Sequence, residues 1–256
     1  MDLIHSPAVS RRQALRLAAT SALAAVVAAC RPWTKDPLPV QAPTPTLRGP
    51  EPVEGESALE RLVAGNARYV ANRAQYPGHS TERREQVAEG QHPFAAVLCC
   101  SDSRVPPEIL FDQGLGDLFV TRVAGNVVDD EMIGSLEYAV EHLGVRLIMV
   151  LGHERCGAVR AALEATLAGV EMEGHLEHLV KAIEPAIEEA QLAYGDAWEA
   201  VAAANVERQV TALRHSQPIL AELVEAGEVE VVGARYDLDS GWVTLLEEPA
   251  AEESHS

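Results

Sequence analysis

Apolar residues recur along the chain at two spacings. In SALERLVAGNARYV, residues 57–70, Leu59, Leu62, Val63 and Val70 share a helical face, and Ser57 with Glu60 three positions on has the spacing of a capping box. FAAVLCC, Phe94 to Cys100, is instead short, continuously apolar and closed by polar residues, which predicts a strand buried on both faces of a parallel sheet. Two more runs of that kind follow, DLFVTRVAG at 117–125 and RLIMVLGH at 146–153, and EMIGSLEYAVEHLG between them predicts an amphipathic helix stopped by Gly144. Alanine-rich helical sequence fills most of 157–215. EVEVVGARYDL, 228–238, predicts a last clear strand, and GWVTLL, 241–246, an edge strand. Strands alternating with helices predict an α/β domain over 57–246, with a mainly parallel central sheet flanked by helices.

The N-terminal residues follow neither spacing. SRRQALRLAATSALAAVVAAC has a twin arginine, Arg11 and Arg12, ahead of an uncharged stretch from Leu17 to Ala29 that is too short to span a bilayer and suits a signal h-region. Residues 1–29 therefore read as a bacterial twin-arginine signal, the type that moves folded cargo across the inner membrane. VAAC resembles a lipobox, which would make Cys30 a lipid-attachment site and the mature chain a membrane-tethered lipoprotein facing outside the inner membrane. An ordinary small-residue cleavage site, with Cys30 incidental, is the competing reading. Residues 30–56 are dense in proline and poor in large apolar residues, as befits a semi-extended linker. EEPAAEESHS, 247–256, reads as an acidic disordered tail.

Charge narrows the partners. A net charge of −19 repels phosphate backbones and anionic lipid headgroups, so nucleic acid is not an expected partner. Four cysteines in 256 residues do not make a disulfide framework. Each thiol needs its own explanation.

Two of them, with a histidine, lie where an open α/β sheet builds sites, outside the carboxyl ends of its strands. Cys100 ends the first predicted strand; His153 and Cys156, in GHERCGA, follow the third. Two thiolates and an imidazole make a zinc site with one position open, the donor count of catalytic rather than structural zinc. Asp102, two residues beyond Cys100, has two available roles: to close that position on the metal, or to accept a hydrogen bond from the water held there. Arg104 can hold Asp102 ionised and away from the metal by a charge-assisted pair. Cys99 points to the opposite face from Cys100 and reads as a small core residue. His142, His175, His178 and His215 lie in polar helical contexts and read as solvated.

CSDSRV, DLFVTRVAGN, GSLEYAV and LGHERCGAV, in that order and spacing, resemble the β-class carbonic anhydrases over residues 57–245. The resemblance implies four parallel strands plus an antiparallel one, and one Zn2+ per subunit on Cys100, His153 and Cys156. It also implies an Asp102–Arg104 catalytic dyad orienting a zinc-bound hydroxide for the reversible hydration of CO2 to bicarbonate and a proton. By the same resemblance, Gln91 from a neighbouring subunit, Phe119, Ala124, Tyr138 and the Gly157 backbone line the substrate pocket. The unit is then a homodimer or a dimer of dimers. Two other readings remain open: a hydrolase of a CO2 analogue, carbonyl sulfide or carbon disulfide, on the same fold, and an exported zinc-binding protein with little turnover.

Overall fold

The computed structural model describes residues 56–190 and 197–246. The twin-arginine signal, Cys30, the linker up to residue 55 and the acidic tail lie outside the described residues. No helix among the described residues is long and apolar enough to cross a membrane.

The domain opens with α1, Ala58–Val70, whose start is fixed by the predicted capping box. The Glu60 amide donates to Ser57 Oγ, and the Ser57 amide donates to the Glu60 carboxylate. A short polar helix, α2 (Thr81–Val87), leads to β1, Ala95–Cys99, every residue of which is buried. The single turn α3 (Pro107–Leu110) and strand β2 (Leu118–Arg122) follow, then a 3-10 turn at Ala124–Asn126. Helix α4 (Asp130–Leu143) is capped by the Asp129 carboxylate and ends at Gly144 with φ 75°. Strand β3 (Leu147–His153) is buried throughout.

The long helical stretch resolves into α5 (Gly157–Ala168), α6 (Leu176–Glu189) and α7 (Ala197–Arg214). Helix α8 (Ile219–Glu225) precedes β4 (Glu230–Tyr236) and β5 (Val243–Leu245). The sheet order is β2-β1-β3-β4-β5. The first four strands run parallel and β5 pairs antiparallel with β4, as the sequence predicts.

The pleat of β1 sorts its side chains. Ala96 and Leu98 pack with Ile148, Val150 and Val206 on one face, while Ala95, Val97 and Cys99 pack with Leu62, Phe111 and Met149 on the other. Cys99 is fully buried in that second layer, and burial pushes its thiol up to about 12. Cys100 turns the opposite way and packs with Cys156. The strand register places the ends of β1 and β3 side by side, Cys99 opposite Leu151, so the loops leaving them meet at one edge of the sheet.

Candidate metal centre

Cys100, His153 and Cys156 meet at that edge, all three buried, with their ligand atoms within 4.8 Å of one another. The two sulfurs are 3.9 Å apart. Cys100 Sγ also receives the amides of Asp102 at 3.4 Å and Gly125 at 3.3 Å. Gly125 has φ 77°, a left-handed conformation that favours glycine and in which this amide is turned to the sulfur. Hydrogen bonding with Cys156, opposed by burial and helped by those amides, holds the Cys100 thiol down at about 4. Cys156 moves up in turn, because the bond it shares with Cys100 and then burial favour its protonated form.

His153 is poised as the third donor. Its Nδ1 lies 2.8 Å from the Glu154 carbonyl oxygen, which can only accept, so Nδ1 carries the proton and Nε2 presents a lone pair in the neutral ring. That Nε2 is buried without a hydrogen-bond partner among the described residues. An orphaned imidazole nitrogen facing two thiols fits a zinc ion, which takes nitrogen and sulfur donors and satisfies all three at once.

Asp102 borders the trio without joining it. Its Oδ2 is 3.9 Å from His153 Nε2, whereas Arg104 grips both carboxylate oxygens, Nε to Oδ1 at 2.9 Å and Nη2 to Oδ2 at 2.7 Å. The Arg104 side chain, against the opposing effect of burial, holds the Asp102 carboxyl down at about 2. Arg122 pins the same turn from below, donating to the carbonyls of Cys100 and Asp102.

The remaining residues singled out from sequence divide into two groups. Ala124 lies next to Gly125, and Gly157 follows Cys156 at the start of α5, where an added Cβ would meet nothing within 4 Å. Phe119 and Tyr138 touch one another, ring centroids 6.3 Å apart, on β2 and α4, and Tyr138 is 48% exposed. Gln91 is exposed ahead of β1, at the opposite end of that strand from Cys100, so its own chain does not bring it to the thiols. His142, His175, His178 and His215 are all exposed.

Sequence reasoning did not find Arg122, Gly125 or the braces behind the His153 loop, Trp198, Glu199 and Arg235. Trp198 Nε1 donates to the Cys156 carbonyl at 2.9 Å from 42 residues away. No local spacing announces such a contact.

A mainly parallel α/β sheet carries at its carboxyl edge a buried group of two thiols and one imidazole that could hold a metal ion on three protein donors. The carbonic anhydrase family model matches residues 95–243. Carbonic anhydrase 2 of Mycobacterium tuberculosis is 41% identical over 192 residues, 74% of this chain and 91% of that protein. Among solved structures, the β-carbonic anhydrase CafA of Aspergillus fumigatus aligns with TM-score 0.59 at 31% identity, covering 74% of this chain and 91% of that one. Two tetrameric β-carbonic anhydrases of Sordaria macrospora are described in another, which aligns with TM-score 0.58 at 27% identity over 72% of this chain and 93% of that one. The chain belongs to the carbonic anhydrase family, in its β class.

Proposed function

We propose that this chain catalyses the reversible hydration of CO2 to bicarbonate and a proton, with zinc held by Cys100, His153 and Cys156 and with Asp102 and Arg104 as the catalytic pair. The observation that carries this reading is the orphaned His153 Nε2 facing two thiols, with an ionised carboxylate beside them that is turned away by Arg104. When bound, zinc supplies Lewis acidity that makes a water molecule nucleophilic near neutral pH. Asp102 accepts a hydrogen bond from the attacking oxygen and so aims it, because its own proton affinity is too low to take the proton outright. Arg104 fixes the carboxylate plane. Ala124 and Gly157, both small, leave room for a linear substrate, with Phe119 and Tyr138 as further pocket residues.

Gln91 stands at the far end of β1 from its own site, and the resemblance to the β class supports a place for it in the site of a second chain. The functional unit is accordingly a homodimer or a pair of dimers. For the residues outside the described structure, we propose export by a twin-arginine route and a lipid tether at Cys30. A thiolate site is safest when metal is loaded and the fold completed before the thiols meet an oxidising compartment. Lysines in place of Arg11 and Arg12 should keep the protein in the cytoplasm, and Cys30→Ala should release it from membranes.

Stopped-flow CO2 hydration by the zinc-loaded chain from pH 6 to 9 tests the activity. Two thiolates place more negative charge on the metal than imidazoles do, so the rate should climb towards alkaline pH. No rate at any pH with zinc bound would overturn hydration and make carbonyl sulfide or carbon disulfide the substrates to assay.

A further inference from the structure

Between His153 and Cys156 the chain makes a turn whose middle residue, Arg155, has φ 51°, a left-handed conformation that a residue with a Cβ adopts at a cost. Nothing in the local sequence GHERCGA favours that conformation at an arginine. The turn is held from outside. The Arg155 amide donates to Glu199 Oε1 at 2.9 Å, and its carbonyl lies 3.5 Å from Arg104 Nη2. Glu199 is held in turn, its Oε2 accepting from Arg235 Nη2 at 2.7 Å, and the same Arg235 nitrogen reaches Glu154 Oε1 at 2.9 Å. Arg155 is thus held at both of its flanking peptides, the one before it firmly by Glu199 and the one after it by a longer contact to the arginine that grips Asp102.

We propose that Glu199 is a positioning residue for the metal centre: by accepting the Arg155 amide it holds the left-handed turn that sets Cys156 against His153 and presents the Arg155 carbonyl to Arg104. This rests on the reading of Cys100, His153 and Cys156 as the metal ligands. Glu199 touches none of the reacting groups. It acts through one peptide, and the orientation of that peptide decides whether both ligands converge. The Arg235 ion pair keeps its carboxylate in place at the start of α7.

The test compares wild type, Glu199→Ala, Glu199→Gln and the double variant Glu199→Ala/Arg155→Gly, as full chains. Zinc affinity is read by competition with a chromophoric chelator, and ligand geometry by the visible and thiolate charge-transfer bands of the cobalt-substituted protein. Glu199→Ala should weaken zinc binding by about tenfold, the scale found when the outer partner of a metal ligand is removed, and should alter the cobalt spectrum. Glu199→Gln keeps one oxygen for the Arg155 amide but sets an NH2 group against Arg235, so it should fall between wild type and the alanine variant; it also keeps the test open if the alanine variant does not fold. Glycine at 155 takes positive φ freely and should recover part of the lost affinity. Wild-type zinc affinity and an unchanged cobalt spectrum in Glu199→Ala, with only the melting temperature lowered, would overturn the proposal and leave a brace of the fold. Failure of Glu199→Gln as severe as that of alanine, or no recovery with glycine, would also overturn it. If wild type itself shows no thiolate-to-cobalt band, the ligand assignment fails first and the inference falls with it.

Discussion

Arg104 holds Asp102 at three points: its backbone amide and Nε both donate to Oδ1 at 2.9 Å, and Nη2 donates to Oδ2 at 2.7 Å. Both oxygens are engaged, so the carboxylate cannot rotate onto the metal position without breaking a two-point side-chain grip. Asp102→Asn should therefore retain zinc and lower kcat/KM by about 100-fold, the scale of losing the orientation of a reacting atom. Arg104→Lys, which replaces the fork by a point charge, should fall between that variant and wild type. Zinc analysis beside the CO2 assay checks both; zinc loss from Asp102→Asn would mean that Asp102 is a ligand.

Adjacent thiols should behave as unlike groups. Cys99 is fully buried in the layer behind the sheet and Cys100 faces Cys156. Cys99→Ala should keep one zinc per chain and its activity, whereas Cys100→Ala should lose both. Cys99→Ser should be less stable than Cys99→Ala, since it buries a hydroxyl where a weakly polar sulfur sat. Metal content by mass spectrometry and urea melts separate these outcomes.

Acid should weaken the fold through Asp112. Its side chain is 1% exposed, and although burial works against the charge, the Gln75 and Tyr76 amides and Arg68 Nε hold the carboxyl below its ordinary value. The folded pKa is depressed, so the stabilisation is fully present above the unfolded value of about 3.9 and disappears as pH falls through the folded one. Asp112→Asn should cost about 2 kcal/mol at pH 6, the worth of hydrogen bonds to a charged group. That deficit should narrow in urea melts as pH drops below 4; a constant deficit would assign it to shape rather than charge.

Gln91 gives a test of the shared site. Chains carrying Gln91→Ala and chains carrying Asp102→Ala should each be nearly inactive alone. Mixed under conditions that exchange subunits, they should regain activity, because one hybrid site combines an intact Asp102 with an intact Gln91. Without recovery on verified exchange, Gln91 does not act across subunits.

The strands that build the site were legible because burial on both faces leaves a continuous apolar run, and β1 and β3 end where Cys100 and His153 sit. The candidate metal-binding trio was legible from chemistry: thiols and an imidazole at strand ends have few structural uses. Helix α2 was not, since TERREQV buries no residue and so carries no apolar period. α3 is one turn and α8 buries Leu220 alone, too little for periodicity to register. The braces were hidden for a different reason. Glu199 meets Arg155 from 44 residues away, across from α7, and Arg235 meets Glu154 from 81, a contact set by the β3–β4 register that places Arg235 opposite Gly152.

The unpartnered Nε2 of His153 carries a thermodynamic consequence. A buried polar nitrogen without a hydrogen-bond partner among the described residues is a debit to the native state. A metal that took up that nitrogen would remove the debit, and a ligand that binds only the folded chain stabilises it by an amount that grows with the logarithm of its free concentration. With zinc as the proposed occupant, the same three side chains would make the durability of this fold a gauge of the free zinc around it.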